Sequence, residues 1–321
     1  MESTPKLFRY RSNSKYSVDS FLRGKMFFVC PLELNDPFEF YIKYDVDKVY
    51  ELIKKDKKAK SIVARKLYKY SIDFGDIGGY KSKPKTTKEC LSLFDSKGRI
   101  KQTKQWLARA IEKKIIQFKE SFGIVSLTEN PKEPVMWSHY ASDSSGFLEI
   151  YDAELLLSNF CSYLRHISLE GYTNEQMSVL WPCEIKYIKE FLERNELVVK
   201  LLCTPDDTNT NIGIDFITNK DIAEEVVAVI YSKLSAWEYE KEIRLVLPCD
   251  IYNLKRKKKN DGQIIHEHYF ENTFSTPEAI VLGYKADLEL EYSARFYCSN
   301  NRIKFKKSDD LFNFNVDWQQ S

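Results

Sequence analysis

Apolar residues recur along the chain with either the two-residue period of a strand or the three-to-four-residue period of a helix, and the switches outline the elements. Leu7 to Arg11 alternates, a strand with Phe8 and Tyr10 on one face and Arg9 and Arg11 on the other. Ser14 to Arg23 suits a short helix closed by Gly24, and Lys25 to Cys30 reads as a compact apolar strand. Helical spacing holds from Asp45 to about Tyr70. It returns from about Lys101 to Lys119, where Trp106, Leu107, Ala110, Ile111, Ile115 and Phe118 form one stripe. Phe122 to Glu129 is a buried strand ending in hydroxyls, Val135 to Ala141 one or two helical turns, and Gly146 to Tyr151 the next strand. Residues 152 to 230 are mixed: helices over Asp152 to about Leu164 and Leu192 to Leu202, a strand over Cys183 to Ile188, and a run from Val226 to Ile230 that fits either state. Ala279 to Gly283 and Arg302 to Lys306 close the chain as strands, so the C-terminal portion reads as β-rich. The pattern predicts a single α+β domain over 1–321, with a mixed, mostly antiparallel β core and helical insertions at about 45–120 and 152–230.

One alternating stretch carries an unusual load. Read as a strand, Trp237 to Leu247 puts Glu238, Glu240, Glu242 and Arg244 on one face and Trp237, Tyr239, Lys241 and Ile243 on the other. Carboxylates at this spacing lie ~7 Å apart and repel by roughly 2 kcal/mol at an effective dielectric near 20. A solvated face neutralised by Arg244 and outside lysines is one reading, and a set of functional carboxylates is the other.

The turns add candidates. Asn35-Asp36-Pro37 is strong turn chemistry, and the same loop offers Asn35, Asp36 and Glu39 to a cleft. His139, on the aromatic segment Val135 to Ala141, is a packing residue or a proton carrier. The run Lys255, Arg256, Lys257, Lys258 and Lys259 reads as a loop between two strands, a solvated hairpin tip or a contact for phosphates. His266 and His268 share a strand face without a nearby third ligand, so no metal site is expected.

Composition narrows the classes. With 43% hydrophobic and 14% aromatic residues in 321, a sizeable core is available, and 49 basic against 47 acidic residues leave a net charge of +2, so nucleic-acid affinity would have to come from a local patch. Seven cysteines, an odd number without a Cys-x-x-Cys pair, fit a reducing compartment. Without an apolar N-terminal leader or a span of ~20 apolar residues, the expected location is cytoplasmic, with no membrane partner.

Six pieces in order resemble the bacterial family known as domain of unknown function 2971: Phe8 to Ser12, Asn35 to Glu39, Ser126 to Thr128, Trp137 to Ala141 with Gly146 and Phe147, Trp237 to Arg244, and Ile280 to Gly283. A more distant likeness is to ADP-ribosyltransferases of the Arg-Ser-Glu class, with an Arg on a first strand, Ser-x-Ser/Thr on a later one, and Glu-x-Glu near another. Arg9 or Arg11, Ser126 with Thr128, and Glu240 with Glu242 match that order. The long interval from Ser126 to Glu240 and the Thr at 128 depart from it.

That likeness implies an ADP-ribosyltransferase-like fold and NAD as substrate, with no metal. It implies that Arg9 or Arg11 grips the diphosphate, and that Ser126, Thr128 and Asn35 line the NAD site. Trp137 and Tyr140 would stack nicotinamide, Glu242 would be catalytic with Glu240 on the acceptor side, and His139 stands beside them. The acceptor would be RNA or protein, contacted by the 255–259 run. A toxin or anti-phage role under an antitoxin or regulator would follow. Two other classes stay open: a non-catalytic binding module in which Arg11, Glu240 and Arg244 form a structural ion network, and a Mg²⁺-dependent nuclease or other phosphoryl-transfer enzyme using Asp36, Glu39, Glu240 and Glu242.

Overall fold

A computed structural model describes residues 5–73, 86–95, 100–168, 178–204, 212–248, 255–258, 264–267 and 276–308. Strand β1 (Lys6–Arg11) takes a central place, because its alternation of apolar and guanidinium side chains lets both faces be covered. Around it lie β2 (Phe122–Thr128), β3 (Phe147–Asp152), β4 (Cys183–Glu184), β7 (Glu242–Pro248), β10 (Ala279–Leu282) and β11 (Lys304–Lys307), in the order β11-β10-β3-β1-β2-β7-β4. All neighbours pair antiparallel except β10 and β11. β5 (Lys186–Ile188) pairs in parallel with β6 (Ser232–Leu234), and β8 (Lys255–Lys258) pairs antiparallel with β9 (Ile264–Glu267). The architecture is therefore mixed α and β with a mostly antiparallel sheet, as the pattern predicts.

Helices cover the sheet. α1 (Lys15–Leu22) follows β1; α2 (Val46–Lys55), α3 (Lys57–Asp73), α4 (Thr87–Asp95) and α5 (Ile100–Glu120) fill the first insertion. The helix expected from Asp45 to Tyr70 is two helices, because Asp56 ends the first and caps the second by accepting from the N–H groups of Lys58 and Ala59. α6 (Pro134–Tyr140) precedes β3; α7 (Ala153–Ser168), α8 (Asn195–Cys203), α9 (Ile212–Thr218) and α10 (Ala223–Ile230) occupy the second insertion, and α11 (Leu288–Asn301) lies between β10 and β11. The largest core joins Ile124, Leu245 and Leu247 of the sheet to Val49, Leu107, Ile111, Leu201 and Val226 of the helices. A second cluster puts Phe8 and Tyr10 against Met136 and Trp137; a third sets Phe147 and Ile280 against Phe21, Leu290 and Ala294.

Four expectations change. Lys25 to Cys30 is not a ladder strand; Val29 alone bridges to Ile124. The stretch from Trp237 is not continuous strand: Ser235–Glu240 is a 3-10 turn, Lys241 sits in the left-handed region at φ 42°, and β7 starts at Glu242. The basic residues 255–258 form a strand, β8, rather than the expected loop, while Lys259 and His268 fall outside the described residues. The C-terminal portion is not all β, since α11 supplies fourteen helical residues. Among the described residues no helix is long and apolar enough to cross a membrane.

β1 and β2 part company along most of their length. They pair at Phe8 and Thr128, whereas Val29 takes the place beside Ile124 through two backbone hydrogen bonds of 2.8 Å. Main-chain groups alternate sides along a strand, so Ser126, between Ile124 and Thr128, turns its N–H and C=O toward the gap. The sheet is split there.

Candidate functional site

The split opens into a cleft of about 390 Å³, within the size range of small-molecule sites. Arg9 and Arg11 line it from β1, Ser126 and Thr128 from β2, Asn35 and Glu39 from the Asn-Asp-Pro turn, His139 and Tyr140 from α6, and Lys233, Glu240 and Glu242 from β6, the 3-10 turn and β7.

Local chemistry explains how each element delivers its side chain. In the Asn-Asp-Pro turn, Asp36 Oδ1 accepts from the Phe38 N–H at 2.9 Å, which folds the loop back and drives Glu39 inward. The turn is thus structural and also places Asn35, whose Oδ1 lies 3.4 Å from Tyr140 Oη; Asp36 itself is buried and does not line the cleft. Gly146 opens β3 so close to β1 that an added Cβ would lie 2.0 Å from the Arg11 carbonyl oxygen, so the backbone pairing there needs glycine. Lys241 in the left-handed region reverses the chain between Glu240 and Glu242, sending both carboxylates inward.

At one end lies an ion network around Arg244, which is 0% exposed. Its Nε and Nη2 donate to the two oxygens of Glu242 at 2.9 and 3.0 Å, and Nη1 donates to Glu39 Oε1 at 2.7 Å and to the Ile230 carbonyl at 2.5 Å. Glu242 also accepts from Ser126 Oγ at 2.6 Å, and its backbone N–H donates to Tyr187 Oη at 2.8 Å. Lys233 Nζ donates to Glu240 Oε2 at 2.6 Å and lies 3.5 Å from Glu242 Oε2, while Tyr140 Oη donates to the other oxygen of Glu240. Thr128 Oγ1 donates to the Glu240 carbonyl at 2.5 Å, fastening the turn to β2.

These contacts set the proton affinities. Burial would raise the Glu242 carboxyl, but Arg244 and Lys233 beside it hold it at about 2. For Glu240, burial outweighs Lys233 and lifts it above the usual carboxylate range; for Glu39, burial likewise outweighs Arg244. Burial opposes the charge on Lys233, yet Glu242 and Glu240 raise it. Two neighbouring glutamates are thus set apart, one firmly ionised and one more basic.

The other end is built from the arginines of β1. Arg11 is tied down: Nε donates to Ser17 Oγ at 2.9 Å, Nη2 to the Ser17 carbonyl at 3.1 Å, and Nη1 to Glu149 at 3.4 Å. Arg9 donates through Nη2 to the Phe27 carbonyl at 2.9 Å, but its Nη1 is 3.7 Å from Glu149, makes no hydrogen bond and is buried. Burial and the charge of Arg11 lower Arg9 to about 10. An orphaned buried guanidinium donor in a cleft fits an anionic ligand oxygen.

Most of the residues singled out from sequence come together here: Arg9, Arg11, Asn35, Ser126, Thr128, His139, Tyr140, Glu240 and Glu242. Trp137 does not. It is 0% exposed and packs edge-on to Tyr10, with ring centroids 5.2 Å apart, so stacking a ligand falls to other rings. His139 is exposed at the mouth, its Nδ1 3.2 Å from Tyr239 Oη, with Trp237 alongside. The ion network expected for a binding module joins Glu240, Glu242 and Arg244, but Arg11 pairs with Glu149 instead. As for a Mg²⁺ centre, among the described residues no three His, Cys, Asp or Glu side chains are grouped to hold a metal, and Glu39, Glu240 and Glu242 are bridged by Lys233 and Arg244. This donor set does not fit the metal.

Lys233, Tyr187 and Glu149 escape sequence reasoning. A single lysine in Ser-Lys-Leu looks like any strand residue; its one signal was position, a few residues upstream of the glutamates it bridges.

No curated protein and no solved structure matches the chain. Residues 136–245 match the family model described as a protein of unknown function (DUF2971), which supports that family resemblance over the stretch carrying His139, Tyr140, Lys233, Glu240, Glu242 and Arg244.

Proposed function

We propose that this chain is an NAD-dependent ADP-ribosyltransferase acting on a macromolecule. The observation that carries the reading is the convergence, in one cleft at a split between adjacent strands, of Arg9, whose Nη1 makes no hydrogen bond, Ser126, and Glu242. The strands β1, β2 and β7, which carry them, are neighbours in the sheet, and that adjacency supports the reading.

Arg9 binds the diphosphate, and a bidentate grip needs the donor it keeps unpaired. The Ser126 main chain, turned into the split, offers an N–H and a C=O at the spacing a primary carboxamide such as that of nicotinamide satisfies. Glu242, held ionised by Arg244 and oriented by Ser126, faces the positive charge that develops on the ribose carbon as the bond to nicotinamide breaks. Nicotinamide leaves with the electron pair of that bond, and the acceptor atom bonds to the same carbon. Glu240, the more basic carboxylate, takes the acceptor's proton. The 255–258 strand belongs to the proposal as a contact for an anionic acceptor, and a toxin or anti-phage role under a restraining partner rests on the family likeness.

The full pairing of Glu242 favours a second reading, a binding module that holds a phosphate-bearing ligand at Arg9 without turnover. Incubation of the purified protein with labelled NAD and cell extract separates the two. The transferase reading expects label on protein or nucleic acid and release of nicotinamide, both lost in Glu242→Gln. Binding of NAD with neither product supports the module.

A further inference from the structure

Arg9 on β1 and Glu149 on β3 are direct cross-strand partners, so their side chains rise from the same face of the sheet. Opposite charges placed in this way ordinarily close on one another. These do not: Arg9 Nη1 stops 3.7 Å from Glu149 Oε2 and makes no hydrogen bond, although both side chains are buried. A buried donor left open beside a buried carboxylate needs a cause.

The cause lies in what already holds the two groups. Arg11 Nη1 lies 3.4 Å from each Glu149 oxygen, and Oε2, the oxygen that Arg9 approaches, also accepts from Tyr151 Oη at 3.0 Å. Tyr151 follows Glu149 by two residues in β3, so the strand period sets it on the same face, and it is buried there. Arg9 for its part spends Nη2 on the Phe27 carbonyl at 2.9 Å. The tyrosine hydroxyl and Arg9 Nη1 thus compete for one oxygen, and the hydroxyl holds it. Arg9 lines the cleft, whereas Tyr151 and Glu149 stand behind it.

We propose that Tyr151 is a positioning residue for anion binding: by occupying Glu149 Oε2 it keeps that carboxylate from closing on Arg9, and so holds Arg9 Nη1 open for a phosphate oxygen of the substrate's diphosphate. Without the hydroxyl, a shift of about 0.8 Å would bring Nη1 to an ordinary hydrogen-bond distance from Oε2. A ligand would then have to break a buried ion pair before Arg9 could bind it. Glu149 stays in place as the counter-ion of Arg11. The inference rests on the diphosphate role given to Arg9 above.

Calorimetric titration with NAD, and with ADP-ribose, which carries the diphosphate without nicotinamide, tests it in wild type, Tyr151→Phe, Glu149→Gln and the double variant. Tyr151→Phe keeps the ring and should bind both ligands about tenfold more weakly, the worth of one charge-assisted hydrogen bond. Nicotinamide release at saturating NAD should be unchanged in that variant, so the loss falls on KM and not on kcat. The double variant should return to within about threefold of wild type, because a neutral amide does not capture Arg9 and the two changes act on one network. A packing role for Tyr151 gives no such rescue. Equal affinity in wild type and Tyr151→Phe overturns the inference and leaves the reading of the cleft standing, and so does a double variant as weak as Tyr151→Phe, or a fall in kcat as large as the rise in KM. If wild type binds neither ligand, the role of Arg9 fails and the inference fails with it.

Discussion

At the carboxylate end of the cleft, Glu39, Glu240 and Glu242 face Lys233 and Arg244, three acids to two bases; at the arginine end, Arg9 and Arg11 share Glu149, two bases to one acid. Formally the first end is one charge negative and the second one charge positive, although both are buried. The ends also differ in saturation. Arg244 uses four of its N–H groups, and each Glu242 oxygen has at least two donors within 3.5 Å, whereas Arg9 keeps a donor unused. The negative end is saturated with hydrogen bonds, whereas the positive end leaves Arg9 Nη1 with no hydrogen bond and only the 3.7 Å ion pair to Glu149.

The largest test of this contrast removes the keystone of the negative end. Arg244→Met leaves Glu39 and Glu242 buried without their cation and should cost about 3–5 kcal/mol in denaturant unfolding. Arg9→Met should cost visibly less stability, because Arg9 gives up one hydrogen bond and a 3.7 Å ion pair with Glu149, which keeps Arg11 as its cation. Equal losses would erase the distinction between the ends. Next, Glu242→Gln keeps the shape but not the charge, and transfer should fall roughly 10²–10³-fold with the fold retained by circular dichroism.

A smaller effect is expected from pH. Glu242 has a folded-state carboxyl at about 2 against an ordinary 4.5, so its contribution to stability is present above pH 4.5 and is lost as pH falls toward 2. Glu240 shifts the other way, and its contribution is present below pH 4.5 and lost as pH rises through its elevated folded value. Unfolding free energy measured across this range should therefore drop on the acid side in wild type and drop less in Glu242→Gln. Smallest is Tyr140→Phe, which removes one hydrogen bond to Glu240 and should cost about 1 kcal/mol by thermal denaturation.

How far the sequence announced these ends follows from how local their signals are. The alternation in Leu7 to Arg11 shows both guanidiniums on one face, and the structure keeps it, since the period of a strand fixes faces regardless of neighbours. The same rule misled at Trp237 to Glu240. Its alternation is unbroken, and the reversal there rests on a left-handed Lys241 instead of the Gly or Asn that would have signalled a turn. Glu242 and Arg244, within β7, kept their common face. Trp137 shows a different limit, because an amphipathic helical turn does not say which aromatic faces the core. Glu149 and Lys233 became visible only as partners, since long-range pairing leaves no trace in local spacing. The helix α11 leaves little helical signature in the sequence, because Leu288, Tyr292 and Phe296 are apolar yet exposed, in place of the polar outer face that marks an ordinary surface helix.

The most direct test of a cleft divided into a binding end and a reacting end is calorimetric titration of NAD into wild type, Arg9→Met and Glu242→Gln, with nicotinamide release measured on the same samples. Arg9→Met should bind NAD about 10–100-fold more weakly, the worth of one or two charge-assisted hydrogen bonds. Glu242→Gln should bind as wild type does and release almost no nicotinamide. Equal NAD affinity in wild type and Arg9→Met, or nicotinamide release that survives Glu242→Gln, would contradict the account.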